Sequence, residues 1–186
     1  MRVISGKYSG KKLDSGSDKT IRPTLEKVRE AVFNILFDVE GITFIDCYAG
    51  TGAMGIEALS RGASNAIFIE NNKSSVEILK KNILRCDCRD HSEIRFQSVK
   101  GFFTNPTGVF SDFVVIYIDP PYLEKELDDL VESFEKNKLQ DKFPDFLLII
   151  ESPHKFPMPN DLGKLNLVDK RVYGGTKLSF YRQPVD

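Results

Sequence analysis

Asp119-Pro120-Pro121-Tyr122 follows an apolar run, Phe113-Val114-Val115-Ile116-Tyr117-Ile118, and joins a carboxylate, a stiffened backbone and an aromatic ring within four residues. Proline fixes φ and has no N–H, so two in succession hold the Asp119 carboxylate and the Pro120 carbonyl as fixed acceptors. Tyr122 can stack on a planar partner. The combination suits a planar base with an exocyclic amine. Such a nitrogen is a poor nucleophile because its lone pair is delocalised into the ring. Two acceptors for its N–H groups favour pyramidalisation and relieve charge in the transition state. Asp119, Pro120 and Tyr122 are the expected catalytic residues; read in isolation, the same four residues make a rigid strand-end turn.

A second constellation supplies a ligand cradle. Phe44-Ile45-Asp46-Cys47-Tyr48 runs into Ala49-Gly50-Thr51-Gly52-Ala53-Met54-Gly55, an apolar strand followed by a glycine turn and a helix. Gly50 and Gly52 permit positive φ and close backbone approach, and the first amides of the helix point toward a ligand. The glycines spell G-x-G-x-x-G, and Glu70 ends the next apolar run, Ala66 to Ile69, at dinucleotide-fingerprint spacing. Any adenosine whose ribose hydroxyls reach a carboxylate one strand over meets the same geometry. Asp46 beside the turn decides between ligands, since it would repel a diphosphate and welcome a cationic amino-acid tail. The expected cofactor is therefore S-adenosylmethionine, held by Asp46, Tyr48, Gly50, Gly52 and Glu70, with Thr24 nearby.

The elements that must position these groups alternate strand and helix. A helix is expected from Thr24 as N-cap through Val28, Ala31, Val32, Ile35 and Leu36, leading to the cradle as a possible lid. Met54, Ile56, Ala58 and Leu59 form the apolar side of the cradle helix. Ser74 caps a further helix with Val76, Leu79, Ile83 and Leu84 as its buried stripe, and Ile94-Arg95-Phe96 is a weaker strand. After the D-P-P-Y strand come an amphipathic helix through Leu127, Leu130, Val131 and Phe134, an apolar strand from Phe146 to Glu151, and a loop over 152–159. A hairpin, Leu165 to Tyr173 and Leu178 to Tyr181, closes the chain. This is a doubly wound, mostly parallel α/β sheet with an antiparallel C-terminal edge. Residues 1–20, with a short hairpin, form an expected RNA-binding appendage, and 21–186 the main domain.

The length of 186 residues with 41% hydrophobic content fits one domain with a sizeable core. The formal net charge of −1 conceals two basic ends: residues 1–30 hold eight basic and four acidic side chains, residues 164–183 five and one. On one face they could hold a phosphate backbone; spread apart, they are ordinary solvated surface. Cys47, Cys86 and Cys88 read as reducing-compartment cysteines, and Cys86-Asp87-Cys88 with His91 lacks a second ligand pair, so no metal is assigned. No apolar run reaches membrane-span length and no signal segment opens the chain, so a cytoplasmic location is expected.

The chain resembles the bacterial small-subunit ribosomal RNA guanine-N2 methyltransferases of the RsmD type. The likeness runs from Met1-Arg2-Val3-Ile4-Ser5-Gly6-Lys7 through Arg22-Pro23-Thr24 and Val28-Arg29-Glu30-Ala31-Val32-Phe33-Asn34-Ile35-Leu36 to Glu57-Ala58-Leu59-Ser60-Arg61-Gly62-Ala63. It continues through D-P-P-Y to Tyr173-Gly174-Gly175-Thr176. The resemblance implies a class I, Rossmann-like methyltransferase fold and S-adenosylmethionine. It further implies methylation of a guanine exocyclic amine in 16S rRNA, within an assembling 30S particle, by a monomer. Lys7, Lys11, Lys12 and Arg22 are the expected RNA contacts. Where relatives place a polar side chain for the adenine amine, this chain has Gln97-Ser98-Val99-Lys100, which leaves Ser98 and main-chain atoms at Val99 for that role. Other readings are methylation of adenine-N6 or a protein glutamine amide, a nicotinamide oxidoreductase and a catalytically silent adenosine-binding module; the last two leave D-P-P-Y without a task.

Overall fold

Four apolar runs and the half-exposed Ser92–Phe96 segment form five parallel strands, because helices cover both faces of the sheet they build. The computed structural model describes residues 1–16, 23–121, 124–138 and 141–184. Its helices are α1 (Pro23–Leu36), α2 (Ala53–Ser60), α3 (Lys73–Cys86), α4 (Val99–Thr104) and α5 (Glu124–Asn137). Its strands are β1 (Thr43–Cys47), β2 (Asn65–Glu70), β3 (Ser92–Phe96), β4 (Phe113–Ile118), β5 (Asp145–Pro153), β6 (Asp161–Leu162), β7 (Leu165–Tyr173) and β8 (Thr176–Arg182). The sheet order is β3-β2-β1-β4-β5-β8-β7-β6. β1 to β5 are parallel, and β8, β7 and β6 each pair antiparallel, as expected for a doubly wound sheet with an antiparallel edge.

Alternation along the strands divides the core in two. Phe44, Phe68, Val115, Tyr117 and Ile149 face one side with Val32 and Phe33 of α1, Ile56 of α2 and Leu79 of α3. Ile45, Ile67, Ile116 and Ile150 face the other with Phe102 and Phe103 of α4 and Phe134 of α5. The Phe103 ring meets Phe134 edge-on at 5.1 Å between centroids.

Local expectations differ at several places, and Ser152 and Pro153, expected in a loop, continue β5 by pairing with Lys177 and Thr176 of β8. α1 starts at Pro23, whose missing N–H costs nothing in a first turn, so Thr24 lies inside the helix and is not its cap. Asn72, not Ser74, caps α3, accepting from the Ser75 N–H at 3.1 Å. Leu84 of α3 is 54% exposed because the buried stripe is Val76, Leu79, Ile83 and Cys86, and Leu84 lies about 100° around the helix from Ile83. Helix α4, capped by Ser98, and strand β6 are additions; each is too short to show a period.

The N-terminal segment has a single antiparallel bridge, Arg2 to Lys12, and docks on helices instead of extending the sheet. Val3, Tyr8 and Leu13 sink into the α1–α3 side of the core. Glu57 of α2, fully buried, holds it there: its carboxylate accepts from the Ile4 N–H at 2.7 Å, the Ser5 N–H at 3.0 Å and Arg61 Nε at 2.8 Å. Arg29 of α1 stands 3.8 Å from the same carboxylate and donates to the Arg2 carbonyl.

Removing one partner of a buried charge cluster strands the others, at a cost of about 3–5 kcal/mol. Glu57→Ala is therefore expected to lower unfolding free energy in urea titrations by about that amount. Glu57→Gln, which keeps one acceptor, should lose less; a change below about 1 kcal/mol for Ala would show that the cluster does not hold the segment.

Candidate active site

The carboxyl edge of the parallel strands collects the acidic groups. Asp46 is the fourth residue of β1, Glu70 the last of β2, and Asp119 and Glu151 follow Ile118 and Ile150, which are register partners on β4 and β5. Asp46, Tyr117, Asp119 and Glu151 share the sheet face covered by α1 and α2, because residues two apart on a strand point the same way.

Asp46 is 3% exposed, and its Oδ2 accepts from the Gly55 N–H at 2.9 Å, in the first turn of α2. Burial pushes its carboxyl up to about 7, against the pull of that hydrogen bond, and the charge of Glu70 adds to the rise. Among the described residues neither Asp46 nor Asp119 makes an ion pair. Asp119 is half-buried at the strand end, its amide reaching toward the Cys47 carbonyl at 3.5 Å. Burial, then the neighbouring Glu151 and Asp46, hold its carboxyl well above the ordinary range. Tyr117 donates its hydroxyl to Glu151, which is 1% exposed. Desolvation followed by the Glu151 charge raises the Tyr117 phenol well above its usual value.

The cradle departs from an ordinary helix start. Tyr48, Gly50 and Gly52 have φ of 59°, 54° and 79°. A left-handed tyrosine is uncommon, and such strain recurs at ligand sites. A Cβ on Gly52 would come within 2.3 Å of Leu79 Cδ1 and one on Gly55 within 2.3 Å of the Phe68 ring, so both glycines serve close packing of α2. A Cβ on Gly50 would meet nothing nearer than 3.8 Å, which leaves that turn open to a ligand. Glu70 closes the other wall: Oε2 accepts from the Gly50 N–H at 2.8 Å and Oε1 from the Asn71 and Asn72 amides at 2.9 and 2.8 Å. Its carboxylate thus already orders the turn.

Ser98 and Val99 are at the start of α4, beyond the end of β3. The Ser98 hydroxyl accepts from the Gly101 N–H at 3.1 Å, and the Val99 side chain is buried in the α4–α5 side of the core. Pro120 is buried; Tyr122 and Arg22 lie outside the described residues, as does the Thr24 side chain.

The N-terminal lysines stand apart from this edge. The Lys7 amide donates to the Ser60 carbonyl at the C-terminal end of α2, about 12 Å along that helix from its N-terminus. Lys11 Nζ donates to the Arg85 and Cys86 carbonyls that end α3, so its charge caps a helix. Lys12 is exposed, and its carbonyl accepts from Arg85. Glu151 was missed in the sequence, although it ends an apolar run as Glu70 does; β5 itself continues to Pro153.

Buried, unpaired carboxylate beside an open glycine turn calls for a cationic ligand, and the second carboxylate one strand away calls for vicinal hydroxyls; S-adenosylmethionine has both features. The arrangement fits that cofactor.

The Escherichia coli (strain K12) protein named Ribosomal RNA small subunit methyltransferase D is 29% identical over 185 residues, covering 98% of this chain and 90% of that one. The solved structure of yhhF from Escherichia coli superposes with a TM-score of 0.79 at 26% identity, covering 100% of this chain and 99% of the other. A Salinibacter ruber RNA methyltransferase, solved in complex with S-adenosyl-L-homocysteine, shares the fold at a TM-score of 0.62 and 15% identity over 87% of this chain and 93% of that one. The family described as Conserved hypothetical protein 95 matches residues 1–182, nearly the whole length, and the chain belongs to it.

Proposed function

We propose that the chain is an S-adenosylmethionine-dependent methyltransferase that modifies the exocyclic N2 amine of a guanine in 16S rRNA, acting as a cytoplasmic monomer on an assembling 30S particle. The observation that carries this reading is the convergence of Asp46, Glu70 and Asp119 on one edge of the sheet, with Asp119 and Pro120 fixed by consecutive prolines. The family relatives named as small-subunit rRNA methyltransferases support the substrate class.

When bound, S-adenosylmethionine supplies a methyl group already activated on a sulfonium. The chain's own contribution is placement, which in well-oriented systems is worth about 7 kcal/mol or more. Asp46 receives the cationic amino-acid end, Glu70 the ribose hydroxyls, and Ser98 with the main chain at Val99 borders the adenine. Asp119 and the Pro120 carbonyl accept the two N–H groups of the target amine. Burial, then crowding by Glu151 and Asp46, gives Asp119 a higher proton affinity than a surface aspartate. Tyr122 covers the face of the base, and Lys7, Lys12 and Arg22 meet phosphates farther along the RNA. Mapping the methyl group on 16S rRNA from cells with and without the protein tests the whole reading; an unchanged modification pattern would overturn it.

Asp119→Ala should cut single-turnover methyl transfer to under-modified 30S particles by about 10²-fold or more with cofactor binding intact. Asp119→Asn, which keeps an acceptor but not the charge, should fall in between. Transfer at the wild-type rate by the alanine variant would make D-P-P-Y a structural turn.

Glu70→Ala should weaken S-adenosylhomocysteine binding by about tenfold or more in calorimetric titration, since charge-assisted hydrogen bonds contribute roughly 1.5–3 kcal/mol. Unchanged affinity removes Glu70 from the site.

Asp46 gives a pH signature. The folded chain keeps this proton up to about pH 7, whereas an unfolded aspartate releases it near its ordinary value of 3.8. Over that window the folded state binds more protons, so this group's contribution to stability falls as pH rises. Asp46→Asn should flatten that decline in urea melts between pH 4 and 7 and weaken cofactor binding. A wild-type slope in the variant would assign the titration to another group.

A further inference from the structure

The β7–β8 hairpin turns back at the same sheet edge as the D-P-P-Y segment. Glu151 is the register partner of Leu178, and Leu178 of Arg171. Asp119 is one residue past the Ile118–Ile150 pair, so Asp119, Glu151, Leu178 and Arg171 form a single row across one sheet face. The next row outward contains Pro153, Thr176 and Tyr173. Tyr173 and Arg171, two residues apart on β7, therefore share the face that carries Asp119, three strands and about 14 Å away from it.

Chemistry reinforces the placement. Arg171 is exposed, and its ion pair to Asp169 at 2.9 Å lies on the strand surface between side chains 57% and 37% exposed, where such pairs hold little energy. Tyr173 is half-buried: it packs against the α1–α3 side of the core. Exposed Lys170 and Lys155 place further positive charge around the hairpin, opposite in sign to the acidic α5 and to the carboxylates at the strand ends. By contrast Lys7 and Lys11 of the N-terminal segment are anchored at the far ends of α2 and α3.

We propose that Tyr173 and Arg171 form a platform for single-stranded RNA beside the target guanine, the tyrosine stacking on a flanking base and the arginine holding a phosphate. The inference rests on the rRNA methyltransferase reading and names where its substrate strand lies. Aromatic rings interleaved with cations are how proteins track single strands without reading sequence. A strand leaving Asp119 toward β5 and β8 crosses this hairpin within a few nucleotides, and the stacking ring, which the test isolates, is what distinguishes RNA from an acidic protein partner.

The full-length protein is compared with Tyr173→Leu, Tyr173→Phe and Arg171→Gln. Leucine keeps the apolar packing and removes the stacking ring; phenylalanine keeps both. Two readouts are taken: kcat/KM on 30S particles lacking the modification, and binding of a single-stranded 12-mer oligouridine at several salt concentrations. Tyr173→Leu should lower both kcat/KM and oligouridine affinity about tenfold, with Tyr173→Phe near wild type. Arg171→Gln should reduce the salt slope by about 0.7, one phosphate on a single strand. S-adenosylhomocysteine affinity and urea midpoints should stay at wild-type values in all three. Wild-type kinetics and binding in Tyr173→Leu and Arg171→Gln would overturn the platform while leaving the methyltransferase reading in place. If the unaltered protein binds oligouridine through these residues yet methylates no rRNA, the platform stands and that reading fails. Loss in Tyr173→Leu that comes with a lowered urea midpoint would make Tyr173 a packing residue, and equal loss in Tyr173→Phe would assign the effect to the hydroxyl instead of the ring; either result overturns the proposal.

Discussion

The hydrogen bond from the Gly55 N–H to Asp46 Oδ2 joins strand, turn and helix into one unit. A carboxylate at a helix N-terminus is favourable because the first amides lack intrahelical partners and carry the positive end of the dipole. Here the carboxylate is also stripped of water, and burial outweighs the hydrogen bond, which lifts its proton affinity. The same atom group thus fixes α2 on β1 and leaves a site that a cation relieves. Gly55 cannot be larger because the Phe68 ring occupies the space a Cβ would need, so the bond depends on close contact between α2 and β2.

α2 is only eight residues long and is held in place through two carboxylates. At its N-terminus Asp46 and the cradle face the ligand edge; in its second turn Glu57 gathers the N-terminal segment and two arginines. A helix this short has little stability of its own. Its position follows from packing on β1 and β2 and from these two polar anchors, which mechanically connect the first residues of the chain to the cofactor turn. Asn82 of α3 adds a third tie, bonding both Asp14 and the Thr51 carbonyl beside the cradle.

What could be read from the sequence follows from which forces are local. The four buried parallel strands and the glycine turn were legible because apolar runs and special φ values are written in consecutive residues, whereas β3, with no buried residue, showed only weakly. The C-terminal hairpin was legible through its Gly174-Gly175 turn. The α3 stripe was misjudged at Leu84 because one residue of phase separates buried from exposed, and periodicity alone does not decide among adjacent leucines and isoleucines. The docking of residues 1–14 was not legible at all: it depends on Glu57, a charged residue whose complete burial makes sense only once two backbone amides and Arg29 from distant segments, with Arg61 four residues along, meet it. Asp46, Glu70 and Asp119 were found by asking what ends each strand. Glu151 satisfies the same criterion, but it lacked an accompanying motif.

Glu151 changes what the site is. With Asp46, Asp119 and Glu151 on one face of three adjacent strands, each added negative charge raises the cost of ionising the others, and the Tyr117 hydroxyl offsets only part of it by donating to Glu151. Coulomb energy between unit charges a few ångströms apart is about 4 kcal/mol even at an effective dielectric near 20. Such a cluster is unfavourable in an empty domain and becomes favourable when positive charge enters. The fold therefore stores, in the positions of three strand ends, a preference for a cationic ligand that no single motif encodes.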